Sequence, residues 1–187
     1  MTIVRQGMEP NDGERFIPAL STLHEVRVNM ERYMYALSFL DGKTVIDFGC
    51  GAGLGTYLYS LVAQDVIGVD YSDKAFALAE KYPHPVPVKF LKRDMEKSES
   101  YADLPSCDVA VALEFIEHLA NPDYFLGQIK ANELIFSVPL HSLEISTWHK
   151  YDFRTMEDVS RLISPFFRID EMRMQQGIWV VGKGTRI

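Results

Sequence analysis

Residues 44–56 read TVIDFGCGAGLGT, and this stretch decides the fold. Thr44 to Phe48 is a short apolar run of β-formers, which predicts a buried strand. Gly49, Gly51, Gly53 and Gly55 then fall at every second position, and Leu54 to Val62 reads as a helix. Strand, glycine turn and helix form the entrance to a nucleotide-binding α/β unit, where the backbone must turn sharply and lie close to a ligand. A loop that cradles a pyrophosphate wants G-x-G-x-x-G. Counting from Gly49 the sixth residue is Leu54, and from Gly51 it is Thr56, so that pattern fails. Asp47 ends the strand instead, giving D-x-G-x-G-x-G. A carboxylate there repels phosphates and suits a ligand that carries a positive amine.

Acid, strand end and glycine loop resemble motif I of the class I S-adenosylmethionine (SAM) dependent methyltransferases. The resemblance implies that Asp47, Gly49, Gly51 and Gly53 wrap the methionine end of SAM.

The remaining chain repeats the strand–helix alternation. Strands are expected over 65–71, 88–94, 107–115, 133–140, 166–174 and 178–182. Helices are expected over about 72–81, 122–131 and 155–163, with Ser72 capping the first and Thr155/Asp158 opening the last as a capping box. Alternation of this kind calls for a doubly wound parallel sheet with helices on both faces. The resemblance adds seven strands, mostly parallel, with an antiparallel C-terminal hairpin through Gly177. Before the first strand, a helix over about 22–40 shows Val26, Met30, Tyr33, Met34 and Leu37 at helical spacing. It either packs on the sheet or leads a segment that covers the cofactor. Met1 to Gly13 is polar and reads as mobile, and GERFIP (Gly13 to Pro18) follows it.

Length and composition bound the molecule. At 187 residues one domain is expected, with 1–41 as an N-terminal helical cover and 42–187 as the Rossmann-like core. A net charge of −7 argues against a broad nucleic-acid face. Cys50 and Cys107 have no metal-type spacing and read as reduced core residues of a cytoplasmic protein. No apolar run reaches membrane-spanning length, and the N-terminus lacks a signal-peptide pattern.

Ligands of such sheets bind beyond the carboxyl ends of the strands. Asp70 ends the second strand about twenty residues after the loop, where an acid accepts hydrogen bonds from ribose hydroxyls. Tyr71 beside it is placed to pack on adenine. Asp94 ends the third strand, where the family puts a residue that receives the adenine amino group, and Met95 offers a backbone N–H to the ring. Methyl transfer from a sulfonium needs an aligned acceptor and, for a hydroxyl, a base to take its proton. The fourth and fifth strand ends supply Glu114, Glu117 and His118 in LEFIEHL, then His141 and His149. His118 or His149 is the expected general base, since an imidazole titrates near working pH. Glu114 is expected to orient the methionine end or the acceptor.

Glu-x-x-Glu-His resembles the type 11 branch of these methyltransferases, which includes small-molecule O-methyltransferases of the ubiquinone pathway. Asn-Pro-Pro-Tyr, the mark of amino-group DNA methylases, is replaced by Glu114–Glu117. GERFIP with His24 and Glu31-Arg32-Tyr33, and Trp148 to Phe153, resemble bacterial glycan-modifying methyltransferases. The implied acceptor is a small-molecule or glycan hydroxyl. The usual Lys-Pro-Gly-Gly turn before the fifth strand is replaced by Lys130-Ala131-Asn132-Glu133, a place where an interface, such as that of a homodimer, would be altered.

Three other readings compete. Glu114, Glu117, His118 and His149 are ligand types for a divalent metal, as in a small-RNA 3′-end methyltransferase family, though the metal is the less favoured reading. A non-catalytic SAM-binding partner subunit is the second. A nicotinamide oxidoreductase is the third, and the failed G-x-G-x-x-G speaks against it.

Overall fold

In a computed structural model, residues 16–187 are described. The Met1–Gly13 reading and the first half of GERFIP lie outside them. Seven strands form one sheet: β1 (Thr44–Phe48), β2 (Asp65–Asp70), β3 (Val88–Lys92), β4 (Cys107–Leu113), β5 (Ala131–Pro139), β6 (Phe167–Gln175) and β7 (Trp179–Arg186). Their order is β3-β2-β1-β4-β5-β7-β6. The first five run parallel, and β7 is antiparallel to both β5 and β6. The doubly wound sheet with a closing antiparallel hairpin therefore stands as the sequence implied.

Strand alternation covers the sheet on both faces. Val45, Val109, Val111 and Ile135 pack with Ala36, Leu40 and Tyr59 in one cluster. Ile46, Phe48, Ala110, Ala112, Leu134 and Phe136 pack in the other, with Phe125, Val159 and Ile163. The helices are α1 (Leu23–Leu37), α2 (Leu54–Ser60), α3 (Asp73–Ala79), α4 (Pro122–Gln128), α5 (Ser142–Ile145) and α6 (Met156–Ile163). Thr155 and Asp158 form the expected capping box, and Ser72 caps α3. Cys50 and Cys107 are buried free thiols. No helix among the described residues is long and apolar enough to cross a membrane.

Two strand boundaries and one helix face differ from the sequence reading for packing reasons. β5 starts at Ala131, which pairs with Cys107, so the residues that replace the usual glycine turn are drawn into the strand. β7 runs past Gly182 to Arg186. Gly182 does not break the strand; a Cβ there would lie 2.6 Å from Phe136 Cζ, so the glycine makes room for a core ring. In α1 the buried residues are Val28, Arg32 and Ala36, whereas Met34, expected on the apolar face, is 58% exposed. Apolar periodicity cannot see a buried stripe whose middle member is an arginine.

Candidate cofactor and acceptor site

β1 is flanked by β2 on one side and β4 on the other, so connections leave it in both directions and a crevice opens above its carboxyl end. A cavity of about 970 Å³ fills that crevice, walled by the glycine loop, the ends of β2 to β5, α1 and the segment around Trp148.

The loop floor is built from backbone. Gly49, Gly51 and Gly53 have φ of +70°, +52° and +81°, a region that side chains rarely enter. Gly49 N–H donates to the Val69 carbonyl at 2.8 Å, which ties the loop to β2. Gly51 N–H donates to Asp70 Oδ2 at 3.0 Å, and Ser72 N–H to Oδ1 at 2.9 Å. The Asp70 carboxylate is thus clamped at the cavity wall with lone pairs to spare.

Asp47 takes a different position. It is 6% exposed and sits behind the loop rather than on the cavity wall. Its Oδ2 accepts from Thr56 Oγ1 at 2.6 Å. Burial raises its carboxyl to about 7; the Thr56 hydrogen bond opposes this and the Asp70 charge adds to it. A cation brought to the loop would reverse that shift.

Along the cavity wall, Tyr71 is 54% exposed, and Met95 is buried with its carbonyl accepting from Tyr101 Oη at 2.6 Å. Asp94 Oδ1 accepts the Glu96 N–H at 3.2 Å, which leaves Oδ2 near Lys97 at 3.6 Å. Asp70, Tyr71, Asp94 and Met95 all line the same cavity as Gly49 and Gly51, whereas Gly53 lies off its wall, against Ala79.

Beyond β4, Glu114 stands at φ +50°, an uncommon conformation for a residue with a Cβ. β5 holds it there. Its N–H donates to the Ser137 carbonyl and Oγ, and Ser137 Oγ donates to Glu114 Oε1 at 2.7 Å. Glu114 Oε2 faces the buried Arg32 at 3.5 Å. The sequence shows Arg32 only as part of the Glu31-Arg32-Tyr33 resemblance; its contacts with Gln175 and Trp179 of the last hairpin are made only in three dimensions.

The next turn presents Glu117 and His118 to a second segment. His118 and His149 ring centroids lie 4.8 Å apart at 72°. One ring nitrogen of each and a carboxylate oxygen of the fully buried Glu117 lie within 4.8 Å of one another. Glu114 is not part of this group, so the four-residue metal set read from sequence is divided into a group of three and a separate Glu114–Ser137–Arg32 unit. The Trp148–Tyr151 segment is fixed by its backbone: Lys150 and Tyr151 N–H both donate to the Glu117 carbonyl, at 2.8 and 3.0 Å. Lys150 Nζ also pairs with Glu96 Oε1 at 2.9 Å, the oxygen that accepts the Ala120 N–H. The segment therefore spans from the β4 end to the residues after β3.

The donor set suits SAM. A glycine cradle with room for backbone approach has Asp70, Asp94 and Glu114 among the carboxylates on its wall and Asp47 behind it, which favours a cationic ligand over a phosphate.

Comparison with known proteins agrees. A family model described as a methyltransferase domain matches residues 46–131. The ubiquinone biosynthesis O-methyltransferase of Methylococcus capsulatus is 29% identical over 113 residues, covering 59% of this chain and 45% of that protein. This chain thus spans less than half the length of that relative. A SAM-dependent methyltransferase structure from Aquifex aeolicus superposes with a TM-score of 0.69 at 15% identity, covering 92% of this chain and 100% of the other. The small RNA methyltransferase HEN1 gives a TM-score of 0.71 at 20% identity, covering 93% of this chain and 27% of that one.

Proposed function

We propose, from the premise that this chain carries a class I SAM-dependent methyltransferase domain, that it methylates a hydroxyl of a small molecule or glycan. The observation that carries the reading is the His118–His149 pair, which lines the same cavity as the glycine loop and Asp70. When bound, SAM supplies an activated methyl group on a sulfonium whose leaving group departs neutral. The chain's own residues then have three tasks. Gly49, Gly51 and Gly53 give the backbone close approach, with Asp70 and Asp94 to receive hydroxyl and amine donors. Glu114 faces the positive end, and Asp47 acts on it from behind the loop. One of the two imidazoles takes the acceptor proton. The O-methyltransferase relative supports a hydroxyl acceptor. Two buried free thiols support a reducing compartment such as the cytoplasm.

The test is formation of S-adenosylhomocysteine from SAM across a panel of catechols, quinols and sugars. With an acceptor in hand, His118→Ala and His149→Ala are each expected to lower kcat by about 10²-fold or more, a typical acid–base contribution. Losses under tenfold in both would leave alignment alone as the mechanism. SAM binding without turnover of any acceptor would favour a non-catalytic binding role.

A second reading is supported by one specific geometry, the clustering of Glu117, His118 and His149 ligand atoms within 4.8 Å. One carboxylate and two imidazoles fit Mn²⁺, Fe²⁺ or Zn²⁺ by ligand type. On that reading the histidines would hold an ion that could polarise the acceptor oxygen, and the likeness to HEN1 brings small RNAs into the acceptor panel. Metal analysis of the purified protein separates the two. Stoichiometric metal with loss of activity in chelator would favour this reading; full activity in chelator would favour the free imidazole base.

A further inference from the structure

β6 closes one side of the sheet, and its outer edge has no partner strand among the described residues. It is 9 residues long, against 5 for β3 at the opposite edge. A free edge of that length offers a row of backbone donors and acceptors to another strand. A register shift between Ile169 and Glu171 bends its first part and leaves Glu171 to Gln175 as the regular stretch.

The charges on this stretch are self-complementary. Two copies of a strand related by a two-fold axis normal to the sheet run antiparallel, with residues of the same face opposite one another. One residue at the centre then faces its own copy. Centred on Glu171, the pairing sets Glu171 against Glu171; centred on Arg173, it sets Arg173 against Arg173. Centred on Met172, it sets each Glu171 opposite the Arg173 of the second copy, twice. Both side chains are exposed. Opposite charges facing one another across strands attract, and like charges there repel.

α1 supplies the rest of the surface. Glu171, Arg173 and Gln175 share the face that α1 covers. The Arg173 guanidinium lies 5.0 Å from the Tyr35 ring centroid, and Gln175 bonds the Val28 carbonyl and Arg32. A groove of about 810 Å³ runs there between α1 and the end of β6, walled by Arg27, Met30, Met34, Tyr35, Arg173 and Val181. Met30 and Met34 belong to the apolar repeat of α1, yet the helix buries Val28, Arg32 and Ala36 instead. The two-fold axis keeps both α1 helices on one face of the joined sheet, one on each side of the seam.

We infer that this chain self-associates through β6: a second copy adds its own β6 antiparallel about Met172, and the Met30–Met34 face of each α1 is covered at the seam. Gln175, in the same strand, bonds Arg32 of the cavity wall, so pairing there also stiffens one side of the cavity.

Sedimentation equilibrium from about 1 to 100 μM tests this, with the wild type expected to be a dimer at the upper end. Arg173→Glu sets like charges opposite in both pairs, and so does Glu171→Arg. Each is expected to weaken dimerisation by about 10-fold or more. The double variant Glu171→Arg/Arg173→Glu restores opposite charges and is expected to return to within about 3-fold of the wild type. Met34→Glu is expected to weaken the dimer without touching β6. Should one single reversal fail to fold, the other makes the same comparison with the double variant. A wild type that stays monomeric throughout overturns the inference and leaves the edge to a strand of another protein. A dimer indifferent to both reversals also overturns it, placing the contact elsewhere, and so does a double variant as weak as the single ones.

Discussion

The two halves of the cavity are made differently. The half over β1 to β3 is backbone: three glycines with positive φ, N–H groups tied to Val69 and Asp70, and a carboxylate locked by Gly51 and Ser72. The half over β4, β5 and α1 is side chain: Arg32 against Gln175, Glu114 on Ser137, His118 against His149, and Lys150 across to Glu96. Backbone sites tolerate little because a misplaced Cβ has nowhere to go. Side-chain sites can be re-specified one residue at a time. A fixed methyl donor and an acceptor that differs between enzymes would call for this division.

The sharpest way to break the comparison is to add one atom to the backbone half. At Gly53 a Cβ would lie 2.4 Å from Ala79 Cβ and 2.6 Å from its Cα, at φ +81°. Gly53→Ala should cost about 3 kcal/mol or more of stability, measured by denaturant unfolding, and abolish detectable SAM binding. A folded variant with unchanged affinity would mean that the loop is not the rigid floor described above.

A smaller effect is expected from pH. The Asp47 carboxyl titrates near 7 in the folded chain and near 4 when unfolded. Its protonated form is therefore favoured by folding. Between about pH 4 and 7 the unfolded chain ionises first, and the ligand-free protein loses stability as pH rises through that window, on the order of 2–4 kcal/mol. Asp47→Asn should flatten this slope in thermal melts of the ligand-free protein. Affinity for the cationic cofactor should rise over the same window in the wild type as Asp47 ionises. A flat affinity profile from pH 5.5 to 8 would remove Asp47 from cofactor binding.

The smallest effect is expected at the bridge between the halves. Lys150 and Glu96 are 53% and 29% exposed, and partly exposed ion pairs contribute about 1 kcal/mol or less. Lys150→Met should change cofactor affinity less than about 5-fold, with the difference fading in high salt. A larger, salt-insensitive change would make this segment part of the cofactor site.

Legibility in the sequence follows the same division. TVIDFGCGAGLGT announces its geometry because strand, acid and glycines lie within thirteen consecutive residues whose spacing is itself the structure. Asp70, Tyr71, Asp94 and Met95 could be placed because the rule about strand carboxyl ends needs only correct strands, and the structure brings all four to one cavity. Arg32 and Gln175 are 143 positions apart, and no local pattern reports their contact. The burial of Arg32 at the middle of α1 also misled the helix face, since periodicity counts only apolar residues. Glu114 and Glu117 look equivalent in LEFIEHL, but the left-handed turn at Glu114 sends them to different partners. Gly182 looked like a strand end because a glycine that stops a strand and one that admits Phe136 are the same letter.

Isothermal titration of the wild-type chain with S-adenosylhomocysteine, and separately with NADH, tests most directly whether the acid-backed glycine loop was built for a sulfonium cofactor. Saturable one-to-one binding of the first, with no measurable heat from the second, is the expected result. Binding of NADH without the adenosyl ligand, or of neither, would contradict it.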